Sequence, residues 1–370
     1  MKRILILDRS SSKAFSGGDT VQIGYIYKFL CDMGYVVDRY SNLAEIDLLK
    51  YDLGFVFNLT NRNEAYLHAQ FFKNHKTPYI LFPVYWDFDF FQDIGPWNLK
   101  KTIKKLIPKS ILELRSTFKY ASSNYSQLKL AKIKILDILS VRNKENFILE
   151  NAHFICPNSN AEKDHILRKF SQLKIDSKMN VIFNCINIDE IKNSILEEIE
   201  LELPENFICC IGGIGPRKNQ LNLVRAMDGL DVDLLIIGKP SIGCEKYYDK
   251  VKAVANKRVH FLEAIPRKNV FKILKRAIGH IQPSYIETPG LVSLEAAICG
   301  CNVGVGLSAP VQEYFEEFVE YCNPHSIEAI RGLLERLLCS RNNDDLCRHV
   351  ESKFNCHVVL NPLISLIENI

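Results

Sequence analysis

The sequence predicts an α/β protein of two domains, each a doubly wound, mainly parallel sheet flanked by helices. Three observations carry this expectation. The chain has 370 residues, more than one ordinary core accommodates. Short apolar, β-branched runs alternate with segments of helical period along the whole length. Most of those runs are continuous rather than alternating, as strands covered on both faces should be.

In the first half the strand candidates are residues 4–7, 53–57, 79–85, 154–157 and 181–183. In the second half they are 207–211, 234–237, 259–262, 280–282, 302–305 and 319–321. Strand–helix–strand alternation implies right-handed crossovers and parallel sheets. The pattern starts afresh at Phe207, after Pro204 and an acidic connector expected to be helical from Asp189 to Glu200. The expected domains are residues 1–190 and 191–354. The first helix reads in detail. Gly17-Gly18 form the turn and Asp19 or Thr20 offers a capping oxygen. Val21, Tyr25, Ile26, Phe29, Leu30 and Met33 supply the buried stripe, and Gly34 ends the helix in a left-handed conformation.

Composition excludes several classes. Hydrophobic residues make up 47% and charged residues 24%, ordinary for a globular chain, and no apolar run is long enough to span a bilayer. The run Ile4-Leu-Ile-Leu7 is too short for a signal peptide and ends in Asp8 and Arg9, so it reads as the first strand. Twelve cysteines show no CxxC pair and no framework spacing, and several lie inside apolar runs. A reduced, cytoplasmic chain without zinc is expected. The nine histidines include none in a nucleophile context, which excludes serine and cysteine hydrolases.

The strongest local signal runs from Gln282 to Gly300, Gln-Pro-Ser-Tyr-Ile-Glu287-Thr-Pro-Gly-Leu-Val-Ser-Leu-Glu295-Ala-Ala-Ile-Cys-Gly. It reads as a strand, a loop and a short helix from about Gly290 to Cys299. Glu295 is the only charge in that apolar helix, a costly placement unless the carboxylate is bonded. The helix start between Glu287 and Glu295 offers free N–H groups to an anion. A sugar diphosphate needs this pattern, hydroxyl acceptors at both ends and an anion site between them. A second signal is Cys210-Ile-Gly-Gly-Ile-Gly-Pro-Arg217-Lys218-Asn219, a strand, a glycine-rich turn and two cations at a helix start. Glycine lets backbone approach a ligand, and the cations neutralise phosphate.

These residues resemble the E-x7-E signature of retaining glycosyltransferases, family 4 in the usual classification. The resemblance implies the GT-B fold, two Rossmann-like domains with the donor in the cleft between them. It also implies that residues 355–370 form a helix crossing back to the first domain. It places Glu287 against the transferred sugar, Gly290 and Leu291 on the diphosphate through backbone N–H groups, and Glu295 on the ribose. Lys218 falls on the family lysine that binds the diphosphate. Gly213 stands where the family arginine usually does, and Arg217 is the candidate replacement. Thr288-Pro289 replaces the usual Gly-Phe, and Asn302-Val-Gly the usual Pro-Val-Val. Gly17 and Gly18 resemble the glycine-rich loop facing the donor phosphates. Pro157-Asn-Ser159-Asn-Ala-Glu162 resembles the turn that ends the first domain, and Asn184-Cys-Ile-Asn-Ile-Asp189 its linker. Many relatives carry a histidine on the acceptor side after the third strand. Here Trp86 and Asp87 stand in that region, with packing and helix capping as their structural alternatives. Asp87-Phe-Asp89 spells D-x-D but lies far from the phosphate motifs, so no metal site is expected.

The implied activity is retaining, metal-independent transfer of a sugar from a nucleoside-diphosphate sugar, a substrate rather than a cofactor, to a glycan or lipid-linked acceptor. Bacterial surface polysaccharide synthesis is the expected setting. Alternatives are a non-catalytic GT-B subunit that binds a partner transferase, and a synthase with a soluble acceptor. A GT-B epimerase would need carboxylates and histidines in the first half that the sequence does not offer. The formal charge of +4 conceals a basic stretch in residues 100–134, where ten Lys and Arg face Glu113 alone. Lys100, Lys101, Lys104 and Lys105 recur at helical spacing beside Ile103, Leu106 and Ile107, with Ile111, Leu112, Leu114 and Phe118 after Pro108. Such a segment suits an anionic membrane surface, which would make the protein peripheral on the inner membrane face. A solvated helical face is the alternative. No recognised nucleic-acid module accompanies the charge, so no nucleic-acid partner is expected.

Overall fold

The computed structural model describes residues 2–10, 17–43, 46, 50–86, 109–130, 132–133, 143–198, 201–339 and 343–370. The chain forms two compact units. One comprises Met1–Phe90, Gly95–Phe183 and Val359–Ile370, and the other is built on Asn184–Val358.

The first unit holds five parallel strands, β1 (Arg3–Leu7), β2 (Val36–Tyr40), β3 (Leu53–Phe57), β4 (Tyr79–Phe82) and β5 (Phe154–Ile155). Their order is β2-β1-β3-β4-β5. Ile4, Leu5 and Ile6 of β1 are fully buried, which accounts for the unbroken apolar run in the sequence. The helix Gly18–Asp32 packs Ile23, Ile26, Phe29 and Leu30 inward and is followed by Gly34 at φ 88°. The helix Cys356–Glu368 belongs to this unit from Val359 onward. It buries Leu360, Leu363 and Ile367, and Lys2 Nζ donates to the Ile367 carbonyl at 2.6 Å.

The second unit holds six parallel strands, β6 (Phe207–Ile211), β7 (Asp233–Ile237), β8 (Val259–Leu262), β9 (Gly279–Gln282), β10 (Asn302–Gly306) and β11 (Glu320–Cys322). Their order is β11-β10-β9-β6-β7-β8. The chain runs outward from β6 through β7 to β8, then returns to the other side of β6 at β9. The carboxyl ends of β6 and β9 therefore face a topological switch point, where open α/β sheets place ligands.

The two-sheet α/β expectation holds, with local differences. The strand β2 was not among the sequence candidates, because Val36-Val-Asp-Arg-Tyr40 interrupts its apolar run with charge. Residues 181–183 form no strand. Met179 makes a single bridge to Ile155, and the chain then runs extended, with Ile182 N–H on the Pro157 carbonyl at 2.9 Å. The strand β4, expected to run to residue 85, stops at Phe82, since Val84 takes φ 45°. Among the described residues the acidic connector is helical over Ile188–Ser194 alone. Met33 is exposed, lying past the helix end. Gly17 is the N-cap residue, and Asp19 Oδ1 accepts from the first-turn Thr20 N–H at 2.8 Å. The same carboxylate is engaged by Arg9 at 2.9 Å.

Candidate active site

Two loops meet at the switch point of the second unit. After β6 the chain turns through Gly212 and enters the short 3-10 turn Pro216–Lys218. Asn219 at φ 62° then starts the helix Gln220–Ala226. The Asn219 side chain ties the turn down by donating to the Pro283 carbonyl at 3.1 Å and the Pro324 carbonyl at 2.7 Å. After β9 come Pro283, Ser284 and Glu287, then Gly290 at φ 82° and the helix Leu291–Ile298. Tyr285 N–H donates to the Arg217 carbonyl at 3.0 Å, so backbone joins the two loops directly.

Glu287 sits where they meet. Lys218 Nζ donates to its Oε2, Arg217 Nη1 to the same oxygen at 3.2 Å, and Ser284 Oγ at 3.1 Å. Burial alone would push this carboxyl up. The Arg217 and Lys218 charges with their hydrogen bonds reverse that and hold it down to about 2. Arg217 also donates to the Ile286 carbonyl at 2.7 Å, which fixes its guanidinium over the loop. Three sequence candidates, Glu287, Lys218 and Arg217, thus form one cluster. The same loop carries Gly290, and a methyl group there would stand 3.0 Å from Glu287 Cγ and 3.3 Å from Ser293 Oγ. Leu291 opens the helix, whose first N–H groups have no preceding helical carbonyl to bond.

Glu295 lies about one turn into this helix, 1% exposed and ion-paired to Arg267. Burial raises its carboxyl to about 7 against the pull of Arg267, with Glu190 adding to the rise. Sequence reasoning missed Arg267, which follows β8 and enters no motif. It also missed His280 of β9, whose Nε2 lies 3.2 Å from Ser293 Oγ and whose pKa burial lowers to about 3. An imidazole inside an apolar strand gives little sequence signal.

The remaining candidates lie in the first unit. Gly17 is the N-cap of the helix Gly18–Asp32, and a Cβ there would meet Asp19 Oδ1 at 2.9 Å. Trp86 is half-buried and stacks on His165 with ring centroids 5.1 Å apart. Asp87, Asp89 and Lys100, Lys101, Lys104 and Lys105 lie outside the described residues. The Ser159–Glu162 turn is built as a cap, with Ser159 Oγ accepting from Glu162 N–H at 3.0 Å. Glu162 in turn accepts from the Tyr85 and Asn158 N–H groups.

Comparison with known proteins agrees with the two-sheet fold. The chain superposes over its full length on sucrose-phosphate synthase from Thermosynechococcus elongatus, with TM-score 0.72, 16% identity and 99% of that chain covered. It superposes likewise on Anabaena Alr3699/HepE in complex with UDP-glucose, with TM-score 0.67, 14% identity and 100% of both chains covered. At these identities the likeness defines the fold, and that fold is GT-B. Residues 192–352 match the family "Glycosyl transferases group 1". That match covers less than half of the chain. D-inositol 3-phosphate glycosyltransferase from Mycobacterium sp. (strain KMS) is 29% identical over 137 residues, 34% of this chain and 31% of that protein. The match spans about a third of that relative's length.

Proposed function

We propose that the protein is a glycosyltransferase that moves a sugar from a nucleoside-diphosphate sugar to a glycan or lipid-linked acceptor with retention of configuration. The observation that carries this reading is the cluster of Glu287, Lys218, Arg217 and Ser284 beside the start of the helix Leu291–Ile298. Without donor, the two cations share the single negative charge of Glu287. A diphosphate offers them a stronger partner, and Lys218, Arg217 and the Gly290–Leu291 N–H groups then stabilise the charge that grows as the sugar bond breaks. Glu287, ionised throughout the working pH range, accepts from the hydroxyls of the transferred sugar. Glu295 accepts from the ribose once Arg267 yields it. The acceptor hydroxyl attacks from the face the diphosphate leaves, and the leaving phosphate takes its proton. No metal or cofactor enters this scheme. Diphosphate release from a panel of nucleotide sugars tests it. Turnover should survive excess EDTA, and turnover that EDTA abolishes and magnesium restores would contradict it.

The acceptor side of the proposal is a lipid-linked glycan of a bacterial surface polysaccharide, reached at an anionic membrane surface. Its support is the helix Lys109–Ser123. Ile111, Leu114 and Phe118 share one face at i, i+3 and i+7 and are all more than half exposed, with Arg115 and Lys119 alongside. Among the described residues no helix is long and apolar enough to cross a membrane.

A further inference from the structure

Besides its two cations, Glu287 has an uncharged donor, Ser284, and the residue that aims that donor is Gln282. Ser284 follows β9 through Pro283 and is 1% exposed. Its Oγ lies 3.1 Å from Glu287 Oε2 and 3.1 Å from Nε2 of Gln282, the last residue of β9. Gln282 is itself 3% exposed, and a buried amide is costly unless it is bonded. Its Nε2 has two acceptors, Ser284 Oγ and the Lys218 carbonyl at 3.4 Å.

These partners fix the direction of each proton. A carbonyl can only accept, so the end of the Gln282 amide that faces Lys218 is its NH2, and the same nitrogen donates to Ser284 Oγ. A serine hydroxyl carries one proton. With its oxygen accepting from Gln282, that proton goes to Glu287. A hydroxyl that accepts is also a better donor, because hydrogen bonds in series polarise one another. Against burial, which raises it, the Ser284 bond joins the Arg217 and Lys218 charges in holding the Glu287 carboxyl low.

The main chain of Ser284 is fixed independently. Gly306 ends β10 and lets it approach, since a Cβ there would stand 2.2 Å from the Ser284 carbonyl oxygen. Asn219 Nδ2 holds the preceding Pro283 carbonyl. Backbone therefore sets where Ser284 stands, and the side chain still has three staggered rotamers to choose from. Gln282 selects among them. We propose that Gln282 is a positioning residue, which commits the Ser284 hydroxyl to Glu287 and, through the Lys218 carbonyl, keeps the two loops aligned around that carboxylate. Under the transferase reading, on which its part in turnover rests, it holds Glu287 in place for the transferred sugar and acts on kcat rather than on nucleotide affinity.

The test is a cycle of Gln282→Met, Ser284→Ala and the double variant on the full chain, with Gln282→Leu used if the methionine variant does not fold. Carboxyl-carbon NMR at pH 7 reads Glu287 directly, its signal being the one that Glu287→Gln removes. That signal should move in the same direction in both single variants, and the double variant should match Ser284→Ala. With the nucleotide sugar that the wild type turns over fastest, kcat for diphosphate release should fall about tenfold in each single variant. It should fall no further in the double variant, and UDP affinity should stay within about twofold of wild type. A merely structural role for Gln282 would add its loss to that of Ser284→Ala. An unmoved Glu287 signal in the folded Gln282 variant, or losses in kcat that multiply in the double variant, overturns the proposal. If the wild type turns over no nucleotide sugar, the transferase reading falls, and the Glu287 signal still decides whether Gln282 acts on it through Ser284.

Discussion

At the scale of single residues, the site is a problem in charge. Glu287 is buried, yet its carboxyl is held at about 2 because Arg217 and Lys218 converge on it. Lys218→Ala removes one preorganised cation from the diphosphate, and turnover should fall on the order of 10²–10³-fold. Steady-state diphosphate release checks this, and a fall below threefold contradicts it. Glu295 behaves oppositely. Its carboxyl is raised from 4.5 to about 7, so the folded chain holds this proton more tightly than the unfolded chain does. The group therefore favours folding at low pH, and that contribution is withdrawn as pH rises from about 4.5 to about 7. Glu295→Gln removes the withdrawal. Its melting temperature relative to wild type should climb between pH 5 and pH 8, and a constant difference would refute the assignment. Glu287, Lys218 and Arg217 were legible in the sequence because each motif is contiguous with its own strand and turn. Arg267 and His280 were not. Arg267 meets Glu295 across 28 positions of sequence, and His280 lies inside the apolar strand β9, where an imidazole gives little signal.

At the scale of elements, glycine geometry sets the helix start. Gly290 adopts φ 82°, a left-handed conformation that costs other residues about 1–2 kcal/mol, and a methyl group there would press on Glu287 Cγ at 3.0 Å. Gly290→Ala should lower stability by about that amount and weaken UDP binding, as chemical denaturation and calorimetry would show. Unchanged affinity would remove this helix start from the diphosphate site. The helix Lys109–Ser123 carries the membrane prediction. Wild type should sediment with anionic vesicles, less so at high salt, and Arg115→Ser with Lys119→Ser should reduce the bound fraction. Salt-insensitive sedimentation, or none, would leave a solvated face. The amphipathic pattern of this helix was legible, since exposed Ile111, Leu114 and Phe118 alternate with buried Thr117 and Ala121 at helical spacing. The strand β2 was not, because only Val37 of its five residues is fully buried. A half-covered edge strand loses the continuous apolar run that marked the others.

At the scale of the whole molecule, the last helix decides how the chain is closed. Leu360, Leu363 and Ile367 are at most 1% exposed within the first unit. Leu363→Ala should cost about 2–5 kcal/mol, and truncation after Val358 should lower the melting temperature of that unit strongly. An unshifted melting temperature after truncation would contradict the assignment of this helix to the first unit. The two-sheet architecture was legible because strand–helix alternation admits few topologies, and the buried strands announce themselves. What the sequence did not reveal was the strand order, which sets β9 beside β6 and so brings Glu287 to Lys218 from 69 positions away. The most direct test of the whole account is therefore a paired measurement on Glu287→Ala, diphosphate release from the preferred nucleotide sugar and affinity for the nucleotide. The account predicts that release falls at least about 10²-fold, with the fold intact and the nucleotide still bound. Full turnover in Glu287→Ala would contradict it.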